Sequence, residues 1–167
     1  MRQMTERFLK EAFAGESQAH MKYTNFAKVA ADEGKANVSR LFEAIAYAEE
    51  VHASNHLRAL GELKKTSDNL KEAFEGENFE IEEMYPSYMA TAELQKEKAA
   101  IHSMKFAIEA EKIHRKMYED AKKTVDTGKD ITVGKIFVCP ICGYTAENDA
   151  PAACPVCKAP KDKFRTF

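Results

Sequence analysis

The sequence of 167 residues is poor in residues that interrupt helices, with 7 Gly and 5 Pro, and it contains no Trp. So few breakers in a chain of this length favour long helices. No run of about 18 apolar residues occurs, and residues 1–10 contain no apolar segment of signal-peptide length. We therefore expect a cytoplasmic protein that does not associate with membranes.

The net charge and the positions of the cysteines indicate which kinds of ligand the protein binds. The formal net charge is −2, which gives no electrostatic support to nucleic-acid binding. All 4 Cys fall between positions 139 and 157. Thiols grouped so closely in a cytoplasmic chain indicate a metal site rather than disulfides.

Apolar residues recur at steps of three and four over the first 130 residues or so, the pattern of amphipathic helices. The predicted helices span about residues 5–33, 36–60, 66–95 and 97–126. Gly34 and Gly61 suit the ends of the first two helices, and Thr66 or Ser67 could cap the third. Pro86 should kink the third helix. Four such helices bury their apolar stripes most economically in a four-helix bundle.

The composition changes after Gly134. The last 33 residues contain all the Cys and four of the five Pro, and the segment KIFVC is rich in β-forming residues. We therefore predict a helical domain over residues 1–133 and a small β-type, metal-binding domain over residues 134–167, called the tail below.

The motif Glu-x-x-His occurs twice, as Glu49 with His52 and as Glu111 with His114, sixty-two residues apart. Residues at i and i+3 lie on one face of a helix, so each pair can reach a common point. Both pairs lie among apolar neighbours, where an unpartnered carboxylate would be costly. One such pair would be an ordinary surface feature, but two copies at matching places in a repeated helix pair indicate a metal centre.

A carboxylate-rich di-metal bundle takes Glu-x-x-His from two helices and a Glu from each of the other two. Glu16 in the first helix and Glu80 in the third are the candidates, with Glu83 at i+3 from Glu80. The predicted ligand set is Glu16, Glu49, His52, Glu80, Glu83, Glu111 and His114. Such donors suit two iron ions, with manganese as the alternative, and disfavour a structural zinc.

The remaining histidines, His20, His56 and His102, do not complete a Glu-x-x-His motif, and we interpret them as surface residues or supports of the site. Tyr23 and Tyr88 lie close enough in sequence to Glu16 and Glu83 to hydrogen-bond a ligand carboxylate, although ordinary core packing explains them equally well.

The tail carries two C-x-x-C motifs separated by eleven residues. Its four candidate ligands are Cys139, Cys142, Cys154 and Cys157. Two such motifs at this distance are a strong signal for one metal ion held tetrahedrally by four thiolates. The spacing does not choose between zinc, which would be structural, and iron, which would carry single electrons.

Taken together, GESQAH, AEEVH, EIEEMYP, AEKIH and CPICGY…CPVC resemble the rubrerythrin family over essentially the whole chain. The resemblance implies a mainly α fold, a ferritin-like four-helix bundle with two non-haem iron ions, followed by a rubredoxin-like domain with one iron on four cysteines. It implies reduction of hydrogen peroxide to water as the activity. Lys158 departs from the Gly that often follows the last cysteine of rubredoxins, which affects the expected potential of that site.

The resemblance also implies residue roles. Glu49 and Glu111 would bridge the irons, Glu16 and Glu80 would be terminal ligands, and His114 would hold one iron. Glu83 and His52 would exchange places on the other iron as its redox state changes, which makes these two the predicted catalytic residues.

The implied partners are hydrogen peroxide and an electron donor. No G-x-G-x-x-G motif is present, so electrons from NAD(P)H would have to arrive through a separate reductase or a free rubredoxin.

The link between the second and third helices is short for the bundle that the internal repeat predicts. If the two helix pairs are related by a pseudo-two-fold axis at the metals, this link must span about 30 Å, counted at 1.5 Å per helical residue. Six extended residues cover only about 20 Å. We therefore predict a domain-swapped homodimer, or a higher oligomer, in which each centre draws on two chains.

Three other functions remain open from the sequence. A ferritin-like iron store or ferroxidase would share the bundle but needs no electron donor in the same chain. A zinc-bearing tail would make the protein a non-enzymatic docking module, and a diferrous centre could also react with O2.

Overall fold

The computed structural model describes all 167 residues, and the chain divides into two compact units, Met1–Lys64 and Lys65–Phe167. Each unit contains a helical hairpin, and the second unit also contains the tail.

The first unit consists of helix α1, Gln3–Asp32, and helix α2, Ala36–Leu60. The turn between them is closed by Gly34, which has φ = 73°. The amide N–H groups of Gly34 and Lys35 donate to the carbonyls of Ala31 and Ala30, so the last carbonyls of α1 are satisfied. Because the link is so short, α2 runs back along α1.

Small residues let the two helices approach closely. Ala27 and Ala30 of α1 and Ala46 and Ala53 of α2 are buried. His20 Nδ1–H donates to the carbonyl of Ala46 at 2.9 Å, which ties the middle of one helix to the other. His20 is therefore a structural residue in this unit.

The larger apolar residues of this hairpin are largely exposed in the single chain. Phe26 and Phe42 pack edge to face at 5.6 Å with Tyr23 beside them, yet Phe26 remains 46% exposed. Leu41 is 60% exposed and Phe8 is 56% exposed. The apolar stripes that the sequence assigned to a buried core are therefore not covered within one chain.

The second unit begins with one long, nearly continuous helical segment. It comprises helix α3, Thr66–Phe79, a π-helical turn, Glu80–Met84, and helix α4, Tyr85–Gln95. Helix α5, Lys98–Val125, returns and packs against α3 and α4.

The π-helical turn ends two residues before Pro86, where the sequence predicted a kink. Tyr85 N–H donates to the carbonyl of Glu80, five residues back, instead of the usual four. Pro86 has no N–H and would clash with the carbonyl four residues before it in a regular helix. The wider turn accommodates the proline without ending the helix.

The expected cap at the start of α3 is not formed. Lys65 is the N-cap residue and provides no side-chain hydrogen bond. The hydroxyl of Ser67 donates instead to Asp126, just beyond the end of α5. The start of α3 is thus tied to the end of α5 rather than capped by its own side chains.

The tail contains a three-stranded antiparallel sheet. Its strands are β1, Ile136–Val138, β2, Thr145–Glu147, and β3, Arg165–Thr166, in the order β2-β1-β3. A short 3₁₀ turn, Lys161–Lys163, precedes β3. The centre of the tail is occupied by its cysteines together with Ala159.

The expected fold class is confirmed in that the chain is mainly α, with a small β-type domain at its end. None of its helices combines the length and the apolar character that a membrane crossing requires.

The end of α4 gives a prediction for stability. Lys96 adopts φ = 60°, a left-handed conformation that is unfavourable for any residue with a Cβ. Lys96→Gly should raise the free energy of unfolding by about 1 kcal/mol, measured by chemical denaturation of the metal-loaded protein.

The control for this substitution is Lys105→Gly, because Lys105 is an exposed residue inside α5. It should lower the free energy of unfolding by about 1 kcal/mol, since Gly weakens a helix interior. Equal effects of the two substitutions would contradict the assignment of strain to Lys96.

Candidate metal centres

The first unit brings together three side chains that can bind a metal, Glu16 from α1 and Glu49 and His52 from α2; we call them the α1–α2 cluster. Their ligand atoms lie within 4.8 Å of one another. His52 Nδ1 lies 2.9 Å from Glu49 Oε2 and 4.0 Å from Glu16 Oε1. The Glu-x-x-His spacing therefore places both side chains on the face that meets α1.

The second unit holds an equivalent group, Glu77 from α3 and Glu111 and His114 from α5; we call it the α3–α5 cluster. Its ligand atoms also lie within 4.8 Å of one another. His114 Nδ1 lies 2.7 Å from Glu111 Oε2 and 3.9 Å from Glu77 Oε1. Each unit thus provides two carboxylates and one imidazole.

The electrostatics of the α3–α5 cluster fit a bound cation. Burial raises the pKa of Glu77 to about 8, and a hydrogen bond to Glu111 and the negative charges of Glu111 and Glu80 act in the same direction. Glu77 Oε2 is buried and has no hydrogen-bond partner. A buried acceptor without a donor, among other carboxylates, is what a metal ion would satisfy.

Glu80 lies beside this cluster but is not one of its three members. Burial raises the pKa of the Glu80 carboxyl, and the charge of Glu111 adds to this effect while His114 opposes it. The side chain of Glu83 is exposed and belongs to neither cluster. Glu77 thus occupies the position that the sequence analysis expected for Glu80, one helical turn earlier in the chain.

A signal for Glu77 is present in the sequence. Gly15-Glu16 in α1 is matched by Gly76-Glu77 in α3, sixty-one residues later, close to the spacing of the two Glu-x-x-His motifs. If the two helix pairs are aligned on these Gly-Glu pairs, Glu16 corresponds to Glu77, the residue that lies near His114. An alignment on the acidic residues at 80–83 does not select Glu77.

Two tyrosines near the α3–α5 cluster were not among the candidates. Burial raises the pKa of both Tyr85 and Tyr118, and the charges of Glu77 and Glu111 raise them further. Both phenols therefore keep their protons beside the carboxylates and can serve as hydrogen-bond donors there. Tyr118 follows Glu111 by seven residues, two helical turns along the same face, just as Tyr23 follows Glu16.

The four cysteines of the tail converge on one point, and none forms a disulfide. Cys139 Sγ lies 3.4 Å from Cys157 Sγ, and Cys142 Sγ lies 3.5 Å from Cys154 Sγ. Four thiolates about 2.3 Å from a central ion in tetrahedral geometry would lie about 3.8 Å apart. The observed distances are close to that value, so the thiols fit one tetrahedral ion.

The two C-x-x-C motifs form equivalent turns. Gly143 N–H donates to the carbonyl of Cys139 at 3.0 Å, and Lys158 N–H donates to the carbonyl of Cys154 at 2.9 Å. Gly143 has φ = 79° and Lys158 has φ = 64°, so Lys158 adopts in the second turn the left-handed conformation that Gly143 adopts in the first. The Nζ of Lys158 donates to the carbonyl of Pro155, which holds the side chain along its own turn.

The thiols differ in acidity. Burial raises the pKa of the Cys142 thiol. Burial also acts to raise the pKa of Cys154, but the backbone N–H groups of Cys157 and Val156 outweigh it and bring the pKa to about 7. Amide groups directed at a sulfur stabilise its thiolate form, which is the form that binds metal.

The four-cysteine site lies against α5. Phe106 of α5 packs on the cysteine cluster. A Cβ on Gly143 would lie 3.4 Å from the Cβ of Ala110, so the first cysteine turn approaches the helix closely. One turn along α5, His114 Nε2 lies 2.9 Å from the hydroxyl of Thr145. The tail therefore contacts the helix that supplies two members of the α3–α5 cluster.

Exchanging carboxylates for amides tests which glutamates hold the metal. Glu77→Gln should lower the metal content of the carboxylate centre, because an amide cannot neutralise the ion and leaves the buried position uncharged. Glu83→Gln should not, because Glu83 is exposed. Iron per chain, measured after anaerobic loading, is the observable, with the thiolate absorbance of the tail as an internal standard. Equal losses in the two variants would contradict the assignment of Glu77.

Comparison with known proteins agrees with this arrangement. The sequence model described as rubrerythrin matches residues 7–122, and the model described as the rubredoxin-like domain of rubrerythrin matches residues 137–165. Rubrerythrin-2 of Clostridium acetobutylicum is 43% identical, covering 98% of this chain and 97% of its own. Nigerythrin of Nitratidesulfovibrio vulgaris is 34% identical over 95% of this chain and 84% of its own.

Solved structures of nigerythrin are also similar to this chain. The fully reduced, all-ferrous state of nigerythrin matches with a TM-score of 0.55 at 34% identity, covering 98% of this chain and 86% of that one. The carboxylate and histidine donors of the two clusters and the four thiolates of the tail fit iron cofactors, a di-iron centre and a single four-cysteine iron. The chain belongs to the rubrerythrin family.

Proposed function

We propose that this protein reduces hydrogen peroxide to water at a di-iron centre that is re-reduced through its own four-cysteine iron. The observation that carries the proposal is the joint presence of carboxylate–histidine clusters and a four-thiolate site packed on α5, the helix of Glu111 and His114. An iron store or ferroxidase gains nothing from a one-electron carrier at this position.

The reaction balances as hydrogen peroxide plus two protons and two electrons giving two water molecules. When bound, the two irons supply both electrons for cleavage of the O–O bond, and the tail iron restores them one at a time. The electrons reach the tail from a separate reductase or a free rubredoxin, with NAD(P)H as their origin. The chain provides the ligands and the packing that keep the two kinds of site in fixed positions.

The ligands of a di-iron centre would be Glu16, Glu49, His52, Glu77, Glu111 and His114, and Glu49 and Glu111 would be the carboxylates shared by the two irons. Glu80, rather than Glu83, would be the additional carboxylate that exchanges with His52, because Glu80 lies beside the α3–α5 cluster whereas Glu83 is exposed. The π-helical turn that starts at Glu80 supports this role, since such turns often occur at functional sites.

Anaerobic stopped-flow absorbance tests the proposal. One equivalent of hydrogen peroxide should oxidise the reduced centre rapidly, followed by the tail iron in proportion to the peroxide consumed. His52→Ala should slow peroxide turnover by at least about 10-fold while preserving the tail chromophore, because His52 is a ligand of the reacting iron. His56→Ala, one helical turn further along α2, is the control and should react normally.

Two results would contradict this function. A wild-type protein that reacts slowly with peroxide but rapidly with O2 or added Fe²⁺ belongs to the oxidase or ferroxidase class. A tail that contains only zinc after anaerobic expression cannot pass electrons, and the chain would then be a docking module on a metal-binding bundle.

The di-iron centre requires both clusters, and we propose that they come from two chains of a domain-swapped dimer. The connector between the units is five residues long, because α2 ends at Leu60 and α3 begins at Thr66. Such a connector reaches about 20 Å. In a bundle with pseudo-two-fold symmetry, the helical segments from His52 to Leu60 and from Thr66 to Glu77 add up to about 28 Å at 1.5 Å per residue.

The surface of the first unit supports the same assembly. Apolar side chains on α1 and α2 remain exposed in the single chain, among them Phe8, Leu41 and Ile45, which is 42% exposed. Exposed apolar surface of this extent is characteristic of a face that another chain covers. The second unit of another copy is the occupant that would also complete the metal centre.

Complementation of two inactive variants tests the swap. One chain carries Glu49→Ala and the other Glu111→Ala, and the heterodimer is purified through two different affinity tags. In a swapped dimer one centre collects both substitutions and the other collects none. The heterodimer should then show about half of the wild-type di-iron content and peroxide turnover.

The two homodimers serve as controls, since each has a defect in both centres and should show little activity. A heterodimer as inactive as the homodimers would mean that each centre uses one chain only, and it would overturn the swapped assembly while leaving the peroxidase proposal intact.

A further inference from the structure

A single hydroxyl group lies between the four-cysteine site and the α3–α5 cluster. Thr145 is 6% exposed and is the first residue of β2, three positions after Cys142. Its Oγ1 lies 2.9 Å from His114 Nε2 and donates to the carbonyl of Gly143 at 3.0 Å. The hydroxyl therefore contacts a proposed iron ligand on one side and the cysteine turn on the other.

The direction of these hydrogen bonds follows from the number of protons. A threonine hydroxyl has one hydrogen, and here it is directed at the carbonyl of Gly143. In the tautomer of His114 that binds a metal through Nδ1, Nε2 carries the hydrogen and donates it to Thr145 Oγ1. This is the ring nitrogen that must carry a hydrogen if Nδ1, the nitrogen that faces Glu111 and Glu77, is to bind a metal.

The contact between Thr145 and His114 lies in a closely packed part of the second unit. Ala110, one turn before His114 on α5, is 3% exposed, and a Cβ added at Gly143 would lie 3.4 Å from its Cβ, so the cysteine turn lies close to the helix. Loss of the hydroxyl would remove the protein acceptor that holds Nε2–H in this orientation and leave only solvent in its place. Ligand histidines in metal sites generally depend on such an acceptor for ring orientation and ligand strength.

The same contact links the two metal sites within one chain. Cys142 is bonded to Gly143, whose carbonyl accepts from Thr145, which accepts in turn from His114. The sequence of covalent and hydrogen bonds is continuous from a thiolate ligand to an imidazole ligand. Every residue in it belongs to the second unit, so it does not depend on which chain supplies Glu16, Glu49 and His52.

We propose that Thr145 is a positioning residue that fixes the ring of His114 for metal binding and connects the tail of each chain to the half-site of that same chain. This inference rests on the proposed function for its electron-transfer part only. Its metal-binding part stands on the geometry of His114 and can be measured without any turnover.

The first test is a titration of full-length, metal-free protein with Co²⁺, whose thiolate-bound and carboxylate–histidine-bound forms have different visible spectra. Thr145→Val preserves the shape and the β-branching of the side chain but removes the acceptor. It should weaken Co²⁺ binding to the carboxylate–histidine centre by about 10-fold or more, without changing the thiolate spectrum of the tail.

Two further variants make the result specific. Thr145→Ser keeps the hydroxyl and should restore the affinity. Thr166→Val, in β3 of the same sheet, changes an exposed threonine and should have no effect. An unchanged thiolate spectrum in Thr145→Val shows that the tail still folds, so that a lower affinity cannot be attributed to unfolding.

The second test uses the iron-loaded, reduced protein after one equivalent of hydrogen peroxide. The rise of the ferric thiolate absorbance of the tail should be at least about 10-fold slower in Thr145→Val and normal in Thr145→Ser. Wild-type Co²⁺ affinity together with a wild-type rate of tail oxidation in Thr145→Val would overturn the inference. So would a Thr145→Ser variant that behaves like Thr145→Val, because the hydroxyl would then not be the active group.

Failure of the proposed function would be recognised separately. If the wild-type protein does not react with peroxide, the peroxidase assignment falls, whereas the Co²⁺ titration still decides whether Thr145 supports His114 as a ligand.

Discussion

The repulsion between carboxylates held close together is the constraint on which the rest of this structure depends. Each unit places two glutamates and a histidine within 4.8 Å of one another, and in the second unit one carboxylate oxygen is buried without a donor. Such a group is stable only with a proton or a metal ion among the oxygens. Burial and the neighbouring carboxylates accordingly raise the pKa of Glu77.

The helical framework meets this constraint by simple means. Alanines between α1 and α2 let the helices approach, and the Glu-x-x-His spacing directs both side chains of a pair toward the neighbouring helix. In the second unit, the π-helical turn at Glu80–Met84 lets the chain pass Pro86 without a break. The π-helical turn also begins at Glu80, which lies beside the α3–α5 cluster. The irregular backbone therefore lies next to a carboxylate that could serve as an additional metal ligand.

The tail also brings ionisable ligand groups close together, in this case four thiols. Two matching turns bring four thiols together, and backbone N–H groups lower the pKa of one of them against the effect of burial. The tail packs against α5 near Phe106 and Ala110, and Thr145 of the tail hydrogen-bonds to His114 of the same helix. The four-cysteine site therefore lies close to a member of the α3–α5 cluster. Two metal sites of different chemistry thereby become neighbours within one folding unit.

The sequence by itself determined the helices, the family, the four-cysteine site and most members of the two clusters, because these depend on local periodicity and short spacings. Tertiary structure decided the rest. Glu77 rather than Glu80 faces His114, since that choice depends on how α3 packs against α5. Tyr85, Tyr118 and Thr145 gain their roles only through neighbours that are distant in the sequence, and spacing along one helix cannot report a contact made across the fold.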